Sequence, residues 1–378
     1  MKGVKYIAPF RDHSGYGEAS RNYILALHRL GVPLTIEARR FEPDPPPIGT
    51  PDERAIFASL EGKDIEFDIV VVHLTPDLAP SYASKYHDKH VISYTVWETS
   101  KLHPLWADCC NKMSEVWVPC DWNVKAFKES GVTVPIHKIP HGIGPDTYLG
   151  ADPTLFSIPG LSDETFVFYS ILQWNYRKNP DGLLRAYFNA FQNGEDVRLI
   201  LKAYVGRGLP PAEDMRQIKE MIKRIKADMQ LPSYPKINLI TDSLSSEQMK
   251  AFHMRGDAYV TLPHGEGFGL TSLEAGLAGK PVIMTGQGGQ MEYLTEDNSY
   301  LVPFMWDYVA GMGSFNAWYW GNQQWARPCL PEAADKMRHV YHNRDEAAER
   351  GVALQARIKS EFSWDSVGKQ MLLRLEEL

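Results

Sequence analysis

Cysteine is scarce in this chain: 378 residues contain only Cys109, Cys110, Cys120 and Cys329, and no pair has the C-x-x-C spacing of a zinc site or redox dithiol. A disulfide scaffold is excluded, and reduced, structural thiols are expected. Long apolar runs are missing too; the best candidates are strand-length pieces such as Ile69–Val72, far short of the roughly 18 residues that span a bilayer. The N-terminus, Met1-Lys2-Gly3-Val4, passes into a short strand and then charged residues without a signal-peptide core. This predicts a cytoplasmic protein with at most peripheral membrane contact. Positive charge is not in excess either: 40 Lys and Arg against 47 Asp and Glu leave a net −7, with −3 of it in residues 1–150. No basic arm emerges, so stable nucleic-acid binding is not expected. Internal repeats and low-complexity segments are likewise absent.

What is present is globular: 44% hydrophobic and 23% charged residues, over a length that suits two domains. Short apolar strands alternate with helix-length amphipathic stretches, the pattern of parallel α/β sheets. Strands are predicted at Val4–Ala8, Leu34–Ala38, Ile69–His73, Val91–Thr95, Glu115–Val118 and His137–Ile139. A second series covers Phe166–Ile171, Arg198–Lys202, Ile237–Ile240, Ala258–Leu262 and Pro281–Met284. Helices are expected at Glu18–Leu30, Asp181–Phe191, Ala212–Met229 and Ser272–Ala278. The turn-rich stretch 150–163 is the natural boundary, whereas the five prolines of Glu42–Pro51 read as an ordered surface loop.

The most specific stretch runs Pro263-His264-Gly265-Glu266-Gly267-Phe268-Gly269-Leu270-Thr271-Ser272-Leu273-Glu274, followed by Gly279-Lys280-Pro281-Val282-Ile283. It reads as strand end, glycine-rich loop, short helix and next strand. The glycines let the backbone approach a ligand closely, and the helix start offers free N–H groups suited to phosphate. Glu274 also fits a purely local role, because Thr271-Ser272-Leu273-Glu274 has the capping-box pattern. Glu266 has no such local use. In the first half, Ser14-Gly15-Tyr16-Gly17-Glu18 resembles a truncated dinucleotide fingerprint, with Ser20 replacing the third glycine and Glu37 beyond it, but its strand-to-glycine connection is long for that motif.

The Glu266-to-Glu274 stretch resembles the Glu-x7-Glu signature of retaining nucleotide-sugar glycosyltransferases of GT-B architecture, family 4 in particular. The resemblance implies two Rossmann-like domains facing a cleft and a C-terminal helix crossing back to the N-terminal domain. The domains would be residues 1–155 for the acceptor, 156–360 for the donor and 361–378 for the returning helix. It further implies Glu274 on the donor ribose, Glu266 by the donor sugar, and a basic pair on the diphosphate. Arg177 and Lys202 match that pair, with Lys178 a near alternative. Gly267, Phe268, Gly269 and Leu270 would line the phosphates, and Gly15 and Gly17 would form the family's first glycine loop over the donor. Tyr94-Thr95-Val96-Trp97-Glu98-Thr99-Ser100 resembles a branch carrying Trp-Glu where relatives have His-Asp, making Glu98 a candidate near the sugar and leaving the sugar's identity open. His141, in Ile139-Pro140-His141-Gly142, reads as a packed residue rather than a catalyst.

The expected function is retaining transfer from a nucleoside-diphosphate sugar, a co-substrate rather than a cofactor, to a hydroxyl acceptor on a glycan, lipid-linked glycan, protein or small molecule. No Asp-x-Asp-type triplet with flanking strand signals appears, so no metal is expected. Three alternatives stand beside it: modification of a hydroxylated base in viral DNA, a non-catalytic sugar-nucleotide binder, and an NAD-dependent oxidoreductase resting on Gly15, Gly17 and Glu37. The aromatic run 315–320 reads as packing, with a sugar-stacking platform as its functional alternative.

Overall fold

A computed structural model describes residues 3–41, 48–158, 160–162, 164–206, 209–313 and 317–378. Residues 42–47 of the proline-rich stretch and Phe315 and Asn316 of the aromatic run lie outside the described residues. Two compact units are formed, the first from residues 1–146 with 359–378, the second from 147–358.

In the first unit β1 (Val4–Ala8), α1 (Gly15–Arg29), β2 (Leu34–Ala38), α2 (Pro51–Leu60), β3 (Ile69–His73), α3 (Pro80–Lys85), β4 (His90–Tyr94), α4 (Pro104–Cys110), β5 (Glu115–Val118), α5 (Asp121–Glu129) and β6 (Ile136–Lys138) alternate. They make a parallel sheet of order β2-β1-β3-β4-β5-β6. The sequence of β3, Ile-Val-Val-Val-His, is buried along its whole length, as a central strand covered on both faces must be.

The second unit continues with β7 (Phe166–Gln173), α6 (Pro180–Ala190), β8 (Val197–Tyr204), α7 (Pro211–Met229), β9 (Ile237–Ile240), α8 (Ser246–Arg255), β10 (Ala258–Thr261), α9 (Leu270–Leu277), β11 (Val282–Thr285) and β12 (Tyr300–Val302). Its parallel sheet has the order β12-β11-β10-β7-β8-β9. An antiparallel pair, β13 (Phe304–Tyr308) and β14 (Gln324–Pro328), is followed by α10 (Leu330–His342) and α11 (Arg344–Glu361). Helix α7 shows why amphipathic sequence becomes structure here. Ile218, Ile222 and Ile225 are buried, while Lys219, Lys223 and Arg224 stay outside. Each buried isoleucine contributes about 1.5–3 kcal/mol.

The last helix, α12 (Trp364–Glu376), belongs to the first unit. Ser363 caps it through Ser366 N, as its sequence predicts. Trp364 Nε1 donates to Asn22 on α1, and Gly368 sits where a Cβ would lie 3.0 Å from Leu30 Cδ1 and 3.2 Å from Ala26 Cβ. Arg374 completes the seam with ion pairs to Glu115 on β5.

The expected division at 155/156 is shifted: the chain changes unit at Asp146/Thr147. The reason is packing, since Tyr148 meets His253 at 5.6 Å and Phe156 meets Phe252 at 4.9 Å, both on α8. Residues 359 and 360 likewise join the first unit instead of closing the second. The sequence reading missed β12, β13 and β14.

Candidate active site

The glycine-rich loop 265–269 joins β10 to α9, at the carboxyl edge of the second sheet, where open α/β sheets place ligands. Several bonds fix it. His264 N donates to Arg177 O at 2.7 Å, Gly289 N to Glu266 O at 2.9 Å, and Thr285 Oγ1 to Pro263 O at 2.8 Å. Phe268 is buried against Tyr293, whose hydroxyl donates to Gly269 O at 2.6 Å. Gly269 has φ +85°, and a Cβ there would fall 2.8 Å from Ser272 Oγ and 2.9 Å from Tyr293 Oη. Glycine is required at this position for both conformation and space.

Gly269 is also the N-cap of α9, and no side chain caps the helix. Thr271 and Glu274 therefore lie inside the helix, and the capping-box reading of Glu274 fails. Thr271 Oγ1 instead bonds Tyr259 Oη at 2.8 Å, and Glu274 Oε2 lies 3.8 Å from Nε2 of buried His253. The first N–H groups of α9 carry the partial positive charge of a helix start.

Glu266 is buried and flanked by two cations, Lys178 Nζ in direct contact and Arg177 Nη1 at 3.6 Å. Arg177 Nη1 also donates to Gly265 O at 2.8 Å. Burial pushes the Glu266 carboxyl up, but Lys178 and Arg177 outweigh it and hold it below the usual carboxylate range. The two cations come from the turn between β7 and α6, which Asn179 shapes by adopting φ 51° and accepting from Gly182 N at 3.0 Å. Lys202 stands near the end of β8. Burial lowers its pKa below the ordinary value, against the opposing charges of Asp214 and Asp242. Asp214 is buried and accepts from Val205 N at 2.9 Å.

Gly15, Gly17 and Glu98 belong to the first unit. Ser14 caps α1 by accepting from Gly17 N at 3.1 Å, and a Cβ on Gly17 would fall 2.2 Å from Asp12 O. Gly17 is thus demanded by backbone approach. Glu37 forms an ion pair with Lys5 at 3.0 Å, which engages the carboxylate that the oxidoreductase alternative would set on a ribose. Glu98 follows Trp97, whose backbone is clamped by Asn123 through bonds of 3.0 and 2.7 Å. Behind this loop lies a buried network that sequence reading did not assemble. Tyr6 Oη bonds His73 Nδ1 at 2.9 Å, and Tyr23 Oη lies 2.9 Å from His141 Nδ1. Burial pushes His141 down to about 3, which suits its packed role.

In the second unit, the stack of Tyr176, His264 and Trp325, with ring centroids 5.1–5.8 Å apart, was also missed. Tyr176 and His264 stand within two of the sequence motifs, but nothing in the sequence marks Trp325 as their partner. Among the described residues, no group of three or more His, Cys, Asp or Glu is placed to hold a metal ion, and no helix is long and apolar enough to cross a membrane.

Two parallel six-stranded α/β sheets, two Rossmann-like domains, match the GT-B glycosyltransferase structures in fold. Residues 152–307 match the family described as glycosyl transferases group 1. Across its whole length the chain is similar to HepE of Anabaena, solved with UDP and glucose, at a TM-score of 0.68 and 15% identity over 100% of both chains. It is similar to sucrose-phosphate synthase from Thermosynechococcus elongatus at a TM-score of 0.72 and 13% identity, covering 100% of this chain and 99% of that one. An uncharacterized protein of Sulfolobus islandicus rod-shaped virus 1 is 22% identical over 298 residues, 76% of each chain.

Proposed function

We propose that this protein is a retaining glycosyltransferase that moves a sugar from a nucleoside-diphosphate donor to a hydroxyl acceptor. The observation that carries the reading is the buried Glu266 between Lys178 and Arg177, one loop before an uncapped helix start. Two cations beside a helix N-terminus suit a diphosphate, whose charge grows as the glycosidic bond breaks. Arg177 and Lys202 would take that charge, with Lys178 beside them and the amides of Gly267, Phe268, Gly269 and Leu270 completing the cradle. Glu274 would accept from the ribose hydroxyls and Glu266 would orient the sugar. Gly15, Gly17 and Glu98 are the first unit's contributions in this reading. HepE was solved with UDP and glucose, so a uridine-diphosphate sugar is the first donor to try.

In the proposed reaction the bond from the anomeric carbon to the phosphate oxygen breaks. The acceptor oxygen bonds to the same face, and its proton passes to the leaving phosphate oxygen. Arg177 and Lys202 stabilise the departing diphosphate, so the chemistry calls for no metal and no dedicated base. The test is incubation with a donor panel and acceptor extracts, with free nucleoside diphosphate and product followed by mass spectrometry and the anomeric configuration by NMR. Release of nucleoside diphosphate with a retained anomer supports the reading. No release from any donor, or an inverted product, refutes it.

A further inference from the structure

The β13–β14 pair displays large apolar rings at its surface. Phe304, Trp306 and Tyr308 recur at every second residue of β13 and so share one face, opposite Pro328, Ala326 and Gln324. Trp306 is 47% exposed and Tyr308 62%, and Phe304 meets Trp306 edge to face at 5.3 Å. Trp320, on the connection between the two strands, is 41% exposed. Alternate residues are spaced about 7 Å along a strand, on the scale of one sugar ring. A contiguous aromatic face of this kind marks a binding surface.

The same connection walls a cavity of about 920 Å³ within the second unit, on which Gln173, Asn175, Tyr176, Asp181 and Gly311 open. Tyr176 is 51% exposed, and Gly311 lies so close beneath its ring that a Cβ would sit 2.7 Å away. Gln173 Nε2 donates to Val205 O at 3.3 Å, and Asn175 Nδ2 to Gln173 Oε1 at 3.1 Å. Each amide keeps a second N–H. The described lining also contains the Asp181 carboxylate, which is ion-paired with Arg185. Arg177, Lys178, Lys202, Glu266 and Glu274 do not line this cavity. Amides, one carboxylate and aromatic faces suit a ligand that carries many hydroxyls on apolar ring faces.

We infer that the cavity and the β13 face together bind a neutral oligosaccharide, at sugars that do not react. The inference rests on the glycosyltransferase reading and assigns its acceptor to the glycan class. The aromatic face holds the sugar rings, and the amide-lined cavity receives one sugar through hydroxyl hydrogen bonds.

The test titrates neutral linear glucan, xylan, mannan and galactan oligosaccharides of about six units into the whole protein, followed by tryptophan fluorescence and calorimetry. At least one should bind with Kd of roughly 0.1–10 mM. The exposed pair Trp306→Ala/Tyr308→Ala, and separately Gln173→Leu, should each weaken that binding about tenfold. For the double variant, melting temperature and acceptor-free donor hydrolysis should stay unchanged. Absence of binding by every oligosaccharide overturns the inference, as does binding that the double variant leaves intact. Self-association that the double variant abolishes, without oligosaccharide binding, also overturns it and assigns the face to a second copy of the chain. Donor hydrolysis without oligosaccharide binding refutes this inference alone, whereas oligosaccharide binding without use of any donor refutes the transferase reading alone.

Discussion

Replacing Arg177 by alanine separates the chemistry of the basic pair from its structural work. The guanidinium lies 3.6 Å from Glu266 and donates to Gly265 O at 2.8 Å. At an effective dielectric of about 20 the charge attraction is worth about 4–5 kcal/mol, most of it offset by desolvation. Lys178 remains in contact with the carboxylate, so Glu266 is not stranded. The net loss of stability is then about 1–3 kcal/mol, chiefly from the carbonyl left without its partner. The Glu266 pKa should rise, because burial would be opposed by Lys178 alone. If Arg177 also meets the leaving diphosphate, the transition state loses a further 2–4 kcal/mol or so, roughly 30- to 1000-fold in rate. Lys202→Ala, on the neighbouring strand, carries the same expectation for rate. Turnover is measured at a temperature where thermal melts show each variant fully folded, so that unfolding cannot account for the loss. Turnover of both variants within about threefold of the parent would refute the diphosphate assignment.

Three further outcomes follow from the same geometry. Glu274→Gln should weaken calorimetric donor affinity by about 1.5–3 kcal/mol, because an amide turns an N–H toward one of the two ribose hydroxyls; since no cap is lost, its melting temperature should hold, and unchanged affinity would reject the ribose role. Arg374→Met should destabilise the first unit by about 3–5 kcal/mol in urea titration, by leaving the carboxylate of Glu115, 1% exposed, without its main partner. Burial pushes Glu115 up, but Arg374, Trp117 and His137 outweigh it, so its pKa lies below the ordinary value. Its stabilisation is therefore complete above the unfolded value near 4.3 and is lost as pH falls through the lower folded value. The Arg374→Met variant should accordingly unfold at higher pH on the acid side, and an unmoved acid limb would contradict the pairing. For duplex DNA, the net charge of −7 leads to weak binding at physiological salt; a tight gel shift that weakens steeply with salt would reverse that expectation.

The strands were legible because parallel sheets bury both faces, so Ile69–Val72 and Val116–Val118 read as continuous apolar runs with clear ends. Helix α7 was legible from its stripe, and the loop 265–269 from glycines that no ordinary turn needs so densely. The edge strand β12 was not: three residues leave too short a pattern to tell from a loop. The β13–β14 pair was hidden because its rings alternate with exposed residues on both faces, and pairing across a long connection leaves no local mark.

At the site, sequence alone determined which residue types stand at which spacing, and the family resemblance those motifs carry is what grouped Glu266, Glu274, Arg177 and Lys202. Sequence could not say which cations lie beside Glu266, nor whether Glu274 caps its helix. Those were tertiary decisions. A helix begins where the backbone turns, and Gly269 with its positive φ starts α9 two residues ahead of Thr271, which removes the cap. The turn held by Asn179 brings Lys178 and Arg177 onto one buried carboxylate, the lysine across 88 residues of chain. Contacts at such separation depend on sheet order and loop conformation, which no local pattern encodes.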